Sequence, residues 1–117
     1  KVPAAPKTHT LSGEDQKRFE GLYPAGEHEA LRRLDKFLEE KGRKYEELRS
    51  MLPGEHTSVL SPYIACGALS VRTAVATAKR VNKGHLDRYD PGYMTWISEL
   101  AWRDFYKHVL VNWPFIW

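Results

Sequence analysis

The chain places two tryptophans, a carboxylate, a guanidinium and a phenol close together near its C-terminus. The segment "WISELAWRDFYKHVLVNWPFIW" holds them within eleven positions, as Trp96, Glu99, Trp102, Arg103 and Tyr106. At about 100° per residue, four of them share one side of a helix, and Trp102 flanks that side. The spacing therefore brings aromatic faces, one acid and one base onto a single helical surface.

Two interpretations of this surface are open. Aromatic stripes at helical spacing usually pack in a core, and Glu99 with Arg103 is then an ordinary i, i+4 ion pair. Alternatively, the surface lines a pocket for a flat polar aromatic ligand. Tryptophan faces would stack on it, the carboxylate would accept an N–H or O–H, and the guanidinium would meet a phosphate or a carbonyl. Spacing alone favours packing, while nucleobases and flavins both fit the pocket.

The rest of the sequence offers little further chemistry. Five histidines are scattered without a pair at i, i+3 or i+4, which predicts no metal site. There is no glycine-rich phosphate loop and no nucleophile elbow. The single cysteine, Cys66, lies in the apolar run "YIACGAL" and is predicted to be a small buried hydrophobic residue. The charge run "RRLDKFLEEKGRK" is predicted to be a solvated face.

Composition narrows the class of protein. The 117 residues are 42% hydrophobic and 28% charged, which is typical of a single globular domain. The net charge of +3 is compatible with a polyanionic partner but does not require one. No apolar run approaches the roughly 18 residues of a membrane span. We therefore expect no membrane partner. One cysteine excludes a disulfide framework, which favours a reducing, intracellular compartment.

The elements that position these residues are predicted to be helices. Residues 26–41 carry one apolar stripe, which is typical of an amphipathic helix that stops at Gly42. Asp90 as N-cap and Pro91 at the first helical position begin the last helix, which we expect to run to about Asn112. Further helices are predicted from Ser12 to near Gly21, over residues 43–52, from Val59 with Thr57 and Ser58 as caps, and over residues 71–81 after Ser70 as cap.

No stretch alternates with a period of two, and no pair of β-branched runs flanks a hairpin turn. The sequence therefore predicts an all-α chain of five or six helices with no sheet. Residues 1–21 are interpreted as a linker, over residues 1–11, and a short lead-in helix. Residues 22–117 are interpreted as the domain that carries the candidate site.

Two segments together resemble a known family. "KYEELRSMLPGEHTSVLSPYIACGALSVR", followed after a gap by "WISELAWRDFYKH", resembles the FAD-binding helical domain of the DNA photolyase/cryptochrome family. The upstream "YPAGEHEALRRLDKFL" is similar to the helix that opens that domain. "AWRDFYKHVLVNWP" is most similar to the cyclobutane pyrimidine dimer photolyases of fungi. The resemblance implies that residues 22–117 are the N-terminal portion of this multi-helical domain, truncated at its C-terminus.

The resemblance also implies roles for the first segment. Tyr45 matches a tyrosine that contacts the phosphates of the flavin cofactor, and Arg49 matches an arginine that meets the DNA backbone. Val59 stands where many members of the family have a polar or basic residue, which leaves one phosphate contact in question. The turn that would hold the FAD pyrophosphate comprises Thr57, Ser58, Val59, Leu60 and Ser61.

For the second segment, the resemblance implies one wall of a cavity between flavin and lesion. Glu99 would hydrogen-bond the flipped pyrimidine dimer and steady its radical anion, and Trp102 would stack on the two bases. Trp96 and Arg103 would contact FAD. The implied contacts with damaged DNA are Arg49, Glu99, Trp102, Arg103 and Tyr106.

The implied parent protein is a DNA photolyase, a carbon–carbon lyase and flavoprotein that repairs pyrimidine dimers by light-driven electron transfer from FAD. It would act as a monomer in the nucleus, the mitochondrion or both, and its antenna pigment would bind a domain absent from this chain. Two alternatives stay open. One is a segment of a cryptochrome blue-light photoreceptor, and the other is a helical fragment that is not catalytic as an isolated chain. The fragment alone is expected to be inactive.

Overall fold

The computed structural model describes residues 12–51 and 56–116, and these residues form helices without any strand. The predicted all-α class is therefore confirmed. The predicted linker over residues 1–11 and most of the predicted break at "PGEH" lie outside the described residues. The elements are α1 (Gly13–Leu22), α2 (Glu27–Glu40), a 3-10 helix (Gly42–Lys44), α3 (Tyr45–Leu48), α4 (Ser61–Ala65), α5 (Val71–Val81) and α6 (Pro91–Asn112).

Local sequence signals place the ends of several helices correctly. The Ser12 hydroxyl accepts a hydrogen bond from the Asp15 amide at 3.2 Å and so caps α1. The Asp90 carboxylate accepts from the Gly92 amide at 3.0 Å and caps α6. Ser70 occupies the N-cap position of α5, although its side chain makes no capping hydrogen bond. Hydroxyl and carboxylate caps thus explain where α1 and α6 begin.

Two predicted helices are wrong in their extent. The helix predicted over residues 43–52 is only the 3-10 turn followed by the four residues of α3, which ends at Leu48. The helix predicted from Val59 begins instead at Ser61. A helix capped by Ser58 would need the amide of residue 62 to donate to the Ser58 carbonyl, and Pro62 has no N–H. Val59 takes a φ of 53°, in the left-handed region, so Thr57 and Ser58 do not cap a helix.

The prediction for Cys66 is also wrong, because this residue is exposed. It is the C-cap of α4, a short helix whose buried residues are Tyr63 and Ile64. The apolar run around Cys66 is therefore split between a core-facing side and a solvent-facing side.

The core forms where α2 meets the first half of α6. The apolar stripe of α2 is confirmed, with Ala30, Leu34, Phe37 and Leu38 all buried. From α6, Trp96 packs on Phe37 with ring centroids 5.4 Å apart. In contrast, the second half of α6 exposes most of its large apolar side chains: Trp102, Phe105, Tyr106, Leu110 and Val111. Among the described residues, the helix is thus buried along its first half and largely exposed along its second half.

A buried asparagine fixes the loop that leads into α6. Asn82 is 2% exposed, and its amide donates to the carbonyls of His85 and Arg88 at 3.0 and 2.9 Å. Its side-chain oxygen accepts from the Asp90 amide at 3.1 Å. Because the three bonds satisfy the buried amide, they hold residues 82–90 in one shape and set where α6 begins.

The start of α6 crosses the 3-10 helix at very close range. The Tyr93 hydroxyl donates to the Leu38 carbonyl at 3.0 Å. A Cβ placed on Gly92 would collide with the backbone of Gly42 and Arg43, which cannot move aside as a flexible side chain can. The absence of a side chain at Gly92 therefore allows α6 to seat on the rest of the fold.

We expect Gly92→Ala to lower the free energy of unfolding of the chain by about 2–3 kcal/mol, the upper range for overpacking. Gly21→Ala is the matched control, because nothing lies within 4 Å of the added Cβ in α1. That change should raise stability by about 0.5–1 kcal/mol through helix propensity. Urea unfolding followed by circular dichroism measures both, and a Gly92→Ala chain as stable as the parent would contradict the proposed close packing.

Candidate functional site

The middle of α6 presents an aromatic and polar surface, which we call the α6 face and define as Glu99, Trp102, Arg103 and Tyr106. These residues are spaced i, i+3, i+4 and i+7 and so lie on one side of the helix. Trp102 is 52% exposed, and the centroid of its ring lies 6.2 Å from that of Tyr106. Phe105 packs edge-on against Trp102 at 5.5 Å. The cluster holds the Trp102 ring in place while leaving half of it open to solvent.

Glu99 forms an ion pair with Arg49 of α3, across fifty positions of sequence. The i, i+4 pair with Arg103 that spacing suggested is not among the ion pairs of the described residues. Each partner is 41% exposed, so solvent screening limits the stabilisation from this pair to about 1 kcal/mol or less. The consequence is positional, because the pair joins α3 to the α6 face and fixes the Glu99 carboxylate one turn before Trp102.

Arg103 turns away from Glu99 and reaches α4. Its Nη2 donates to the Ile64 carbonyl at 3.5 Å. Its Nη1 is buried and has no hydrogen-bond partner among the described residues. A buried donor without an acceptor costs about 1–3 kcal/mol. The Nη1 group can therefore donate a hydrogen bond to an acceptor that the described residues do not supply.

Tyr45 lies between the α6 face and α2. Its half-buried ring packs edge-on against Phe37, with centroids 5.6 Å apart. Burial raises the pKa of the Tyr45 phenol above its usual value of 10.0; the Glu99 carboxylate adds to the rise and the Arg49 guanidinium opposes it. The phenol therefore stays neutral at physiological pH and retains a proton to donate.

A cleft of about 350 Å³ opens on the other side of Phe37, between the end of α1, α2 and residues 57–59. We call it the basic cleft, because four cations line it: Arg32, Arg33, Lys36 and Lys41. Thr57 and Ser58 also line it, and no hydrogen bond of their hydroxyls occurs within the described residues. Phe37 lines the basic cleft and also touches Tyr45, so it joins the two regions.

The structure brings most of the predicted site residues into or beside these two regions and places three of them elsewhere. Arg49 and Tyr45 adjoin the α6 face, and Ser61 is the exposed first residue of α4. Trp96 is 3% exposed and Leu60 is buried, so both belong to the core here. Their assigned ligand contacts, like those of the other site residues, stay predictions.

Sequence reasoning missed the cations of α2, which it assigned to a solvated face. Arg33 and Lys36 are spaced four and one positions before Phe37, so helical periodicity places them next to the buried stripe. That proximity is the one local signal that could have drawn attention to these cations. It does not reveal that residues 57–59 line the same cleft.

The described residues contain no group of three or more histidine, cysteine, aspartate or glutamate side chains able to hold a metal ion. Nor does any helix among them have the length and apolar character needed to cross a bilayer.

Comparison with known proteins finds relatives that share one name. No family model matches the chain. However, it is 49% identical over 98% of its length to the deoxyribodipyrimidine photo-lyase of Neurospora crassa, and 44% identical over 98% to that of Thermus thermophilus. Over nearly its whole length, the chain is thus similar to a segment of deoxyribodipyrimidine photo-lyases. The predicted relationship to photolyases is thereby confirmed.

The chain is similar to only one segment of these photo-lyases. It spans 19% of the Neurospora protein and 25% of the Thermus protein. A mitochondrial deoxyribodipyrimidine photo-lyase of Saccharomyces cerevisiae is 39% identical over 80% of the chain and 17% of its own length. The Neurospora match covers nearly the whole chain, so it includes both the basic cleft and the α6 face.

The environment of Tyr45 gives a test of the site's electrostatics. We expect Tyr45 to ionise later than an exposed tyrosine, and Glu99→Gln to move its pKa back toward 10.0 while burial keeps it elevated. Phenolate absorbance during a pH titration measures this, with the Tyr45→Phe chain subtracted to isolate the signal.

Because the folded pKa is raised, this phenol stabilises the fold below pH 10.0, and that contribution is lost as pH rises through the folded pKa. A Tyr45 that titrates with the exposed tyrosines would show that it is not packed as described.

Proposed function

We propose that the chain is a segment of a deoxyribodipyrimidine photo-lyase that reverses cyclobutane pyrimidine dimers in DNA with light and bound FAD. The observation that carries the proposal is the α6 face, where a half-exposed Trp102 stands beside a Glu99 that is held by Arg49. The family relationship supports the same conclusion. The photo-lyase activity is a property of the whole enzyme, of which this chain would supply one part.

Three observations fit the binding of FAD. Thr57 and Ser58 line a cleft together with cationic side chains, and hydroxyls and cations are groups that bind phosphate. Tyr45 stays neutral and can donate its proton to a phosphate oxygen. Arg103 has a buried Nη1 that needs an acceptor. On this proposal, Tyr45, the turn over residues 57–61 and Arg103 hold FAD, which when bound supplies the light-driven electron transfer. Trp96, which packs on Phe37 in the core, would support the site from behind.

The α6 face would then bind the lesion. Trp102 offers an exposed ring on which pyrimidine bases stack, and stacking of this kind is worth about 1–3 kcal/mol per base. The Glu99 carboxylate accepts hydrogen bonds, and a pyrimidine taken out of the duplex presents N–H donors to it. Tyr106 would extend the stacking surface, since its ring is exposed beside Trp102.

Arg49 can bind Glu99 and a DNA phosphate at the same time on this proposal. Its Nη1 pairs with Glu99, and a guanidinium has five N–H donors, so others can reach a DNA phosphate. The partner of the parent enzyme would thus be DNA that contains pyrimidine dimers. A nuclear or mitochondrial location is part of the proposal, and the yeast relative that carries the name mitochondrial is consistent with it.

No observation favours the cryptochrome alternative, since the relatives named above are all photo-lyases. The chain spans a quarter or less of these proteins, so we do not propose that it repairs DNA by itself. A chimera in which this chain replaces the homologous segment of the Neurospora photo-lyase is the suitable test protein, because 49% identity favours correct folding.

In this chimera, we expect Glu99→Ala to lower the yield of light-driven dimer repair by about ten-fold or more while FAD stays bound. A hydrogen bond to a charged group is worth about 1.5–3 kcal/mol, which corresponds to that loss. Repair of a dimer-containing oligonucleotide measures the yield, and flavin absorbance measures FAD content.

Glu39→Ala, which removes an exposed carboxylate of α2, is the control and should leave both values unchanged. An unchanged repair yield in Glu99→Ala would exclude the proposed role of Glu99. Equal loss of FAD and repair would show that Glu99 maintains the structure instead.

A further inference from the structure

The outer side of α5 and the loop that follows it concentrate positive charge. From residue 72 to residue 89 the sequence has one acidic residue, Asp87, and five exposed cations: Arg72, Lys79, Arg80, Lys83 and Arg88. Of the α5 cations, only Arg80 has an ion pair within the described residues, a 3.9 Å contact with Asp35 of α2. We call the other four cations the basic edge and define it as Arg72, Lys79, Lys83 and Arg88.

Helical periodicity turns the α5 part of the basic edge away from the core. Arg72 and Lys79 are seven residues apart, so they lie on one side of the helix, about 10 Å apart along its axis. The buried residues of α5 are Ala74 and Ala78. At 100° per residue, these alanines lie about 110–150° around the helix from the line of the two cations. Both cations therefore project into solvent.

The loop after α5 holds the other two cations on a fixed frame. Lys83 and Tyr89 take φ angles of 54° and 86°, which cost a residue other than glycine about 1–3 kcal/mol each. The Lys83 ammonium lies 4.9 Å from the centroid of the Tyr89 ring, and the His85 ring stacks on Tyr89 at 4.8 Å. Arg88 donates from Nε to His85 Nδ1 at 3.0 Å. Neither cation of this loop pairs with a carboxylate within the described residues.

A partner with regularly spaced negative charges fits this arrangement. One DNA strand carries a phosphate about every 3.4 Å along the duplex axis, so the separation of Arg72 and Lys79 spans about three phosphates. Lysine and arginine contacts to phosphate position a protein on DNA without reading its sequence. The exposed ring beside the basic edge, Tyr89, already stacks on His85, which favours a duplex backbone over unpaired bases.

We infer that the basic edge binds the phosphate backbone of duplex DNA, without preference for sequence or damage. This inference rests on the proposed function, because it adds a second DNA contact to the one proposed for the α6 face. The two surfaces would divide the work. The basic edge supplies general, salt-dependent affinity for DNA, and the α6 face supplies selectivity for the lesion.

The test measures binding of the 117-residue chain to a short undamaged duplex by fluorescence anisotropy at several salt concentrations. The slope of log affinity against log salt changes by about 0.9 for each phosphate contact. We expect the double variant Lys79→Gln/Lys83→Gln to weaken binding ten-fold or more at about 0.1 M salt and to make the slope shallower by about 1.8.

The matched control is Lys17→Gln/Arg18→Gln, which removes the same charge from exposed positions of α1 and should leave the slope unchanged. Circular dichroism should show the same helix content in both double variants, because none of the four side chains is buried.

Any of three results would overturn the inference. One is that the chain does not bind the duplex even at low salt. Another is an equal change of slope in both double variants, which would indicate general attraction by surface charge. The third is that Lys79→Gln/Lys83→Gln weakens binding to phosphatidylserine vesicles and not to the duplex, which would assign the basic edge to a membrane surface.

The chimera separates this inference from the proposed function. There, Lys79→Gln/Lys83→Gln should weaken binding of damaged and undamaged duplexes by the same factor and leave FAD content unchanged. A chimera that repairs dimers, and whose DNA affinity ignores these substitutions, would overturn the role of the basic edge and leave the photo-lyase proposal standing. The expected change of slope in a chimera that repairs no dimers would support the basic edge and count against the photo-lyase proposal.

Discussion

The seating of α6 constrains the rest of the structure. Gly92 allows the helix to touch the 3-10 turn, Tyr93 bonds to α2, and Trp96 packs on Phe37. Because an α-helix is rigid over these few turns, fixing its first half determines the direction of every later side chain. Glu99 and Trp102 consequently lie on one side of the helix, where the Arg49 ion pair and the rings of Phe105 and Tyr106 hold them. A helix buried at one end and exposed at the other is a sound way to present reactive groups on a fixed support.

Two electrostatic arrangements then divide the surface around Phe37. On one side, Arg49 balances Glu99, so the α6 face combines a neutral ion pair with aromatic rings and suits uncharged bases. On the other side, the basic cleft is lined by several cationic side chains and by Thr57 and Ser58, a combination that suits phosphates. A flavin dinucleotide has both a flat ring system and a pyrophosphate, and a stacked lesion has flat rings alone. The separation of the two surfaces thus matches the chemistry of the two proposed ligands.

Much of the fold was predictable because strong local signals decide it. Asp90 and Pro91 encode the start of α6, and the apolar stripe of α2 encodes its buried side. Local patterns failed where backbone chemistry competes with them: Pro62 cannot donate, so the helix expected from Val59 begins later. The site was predictable as a group of residues but not as contacts. No local sequence pattern predicts that the partner of Glu99 lies fifty positions away, or that Trp96 is buried while Trp102 is half-exposed. Those contacts depend on which helices pack together.

The central claim is that the α6 face binds a damaged pyrimidine pair, and the most direct test is the DNA affinity of the FAD-loaded chimera. The dissociation constants for a dimer-containing and an undamaged oligonucleotide should be compared before and after Trp102→Ala. We expect the substitution to weaken binding of the damaged DNA by about ten-fold or more, as loss of base stacking requires, and to leave undamaged DNA almost unaffected. Equal weakening for both oligonucleotides, or no change for either, would contradict the claim.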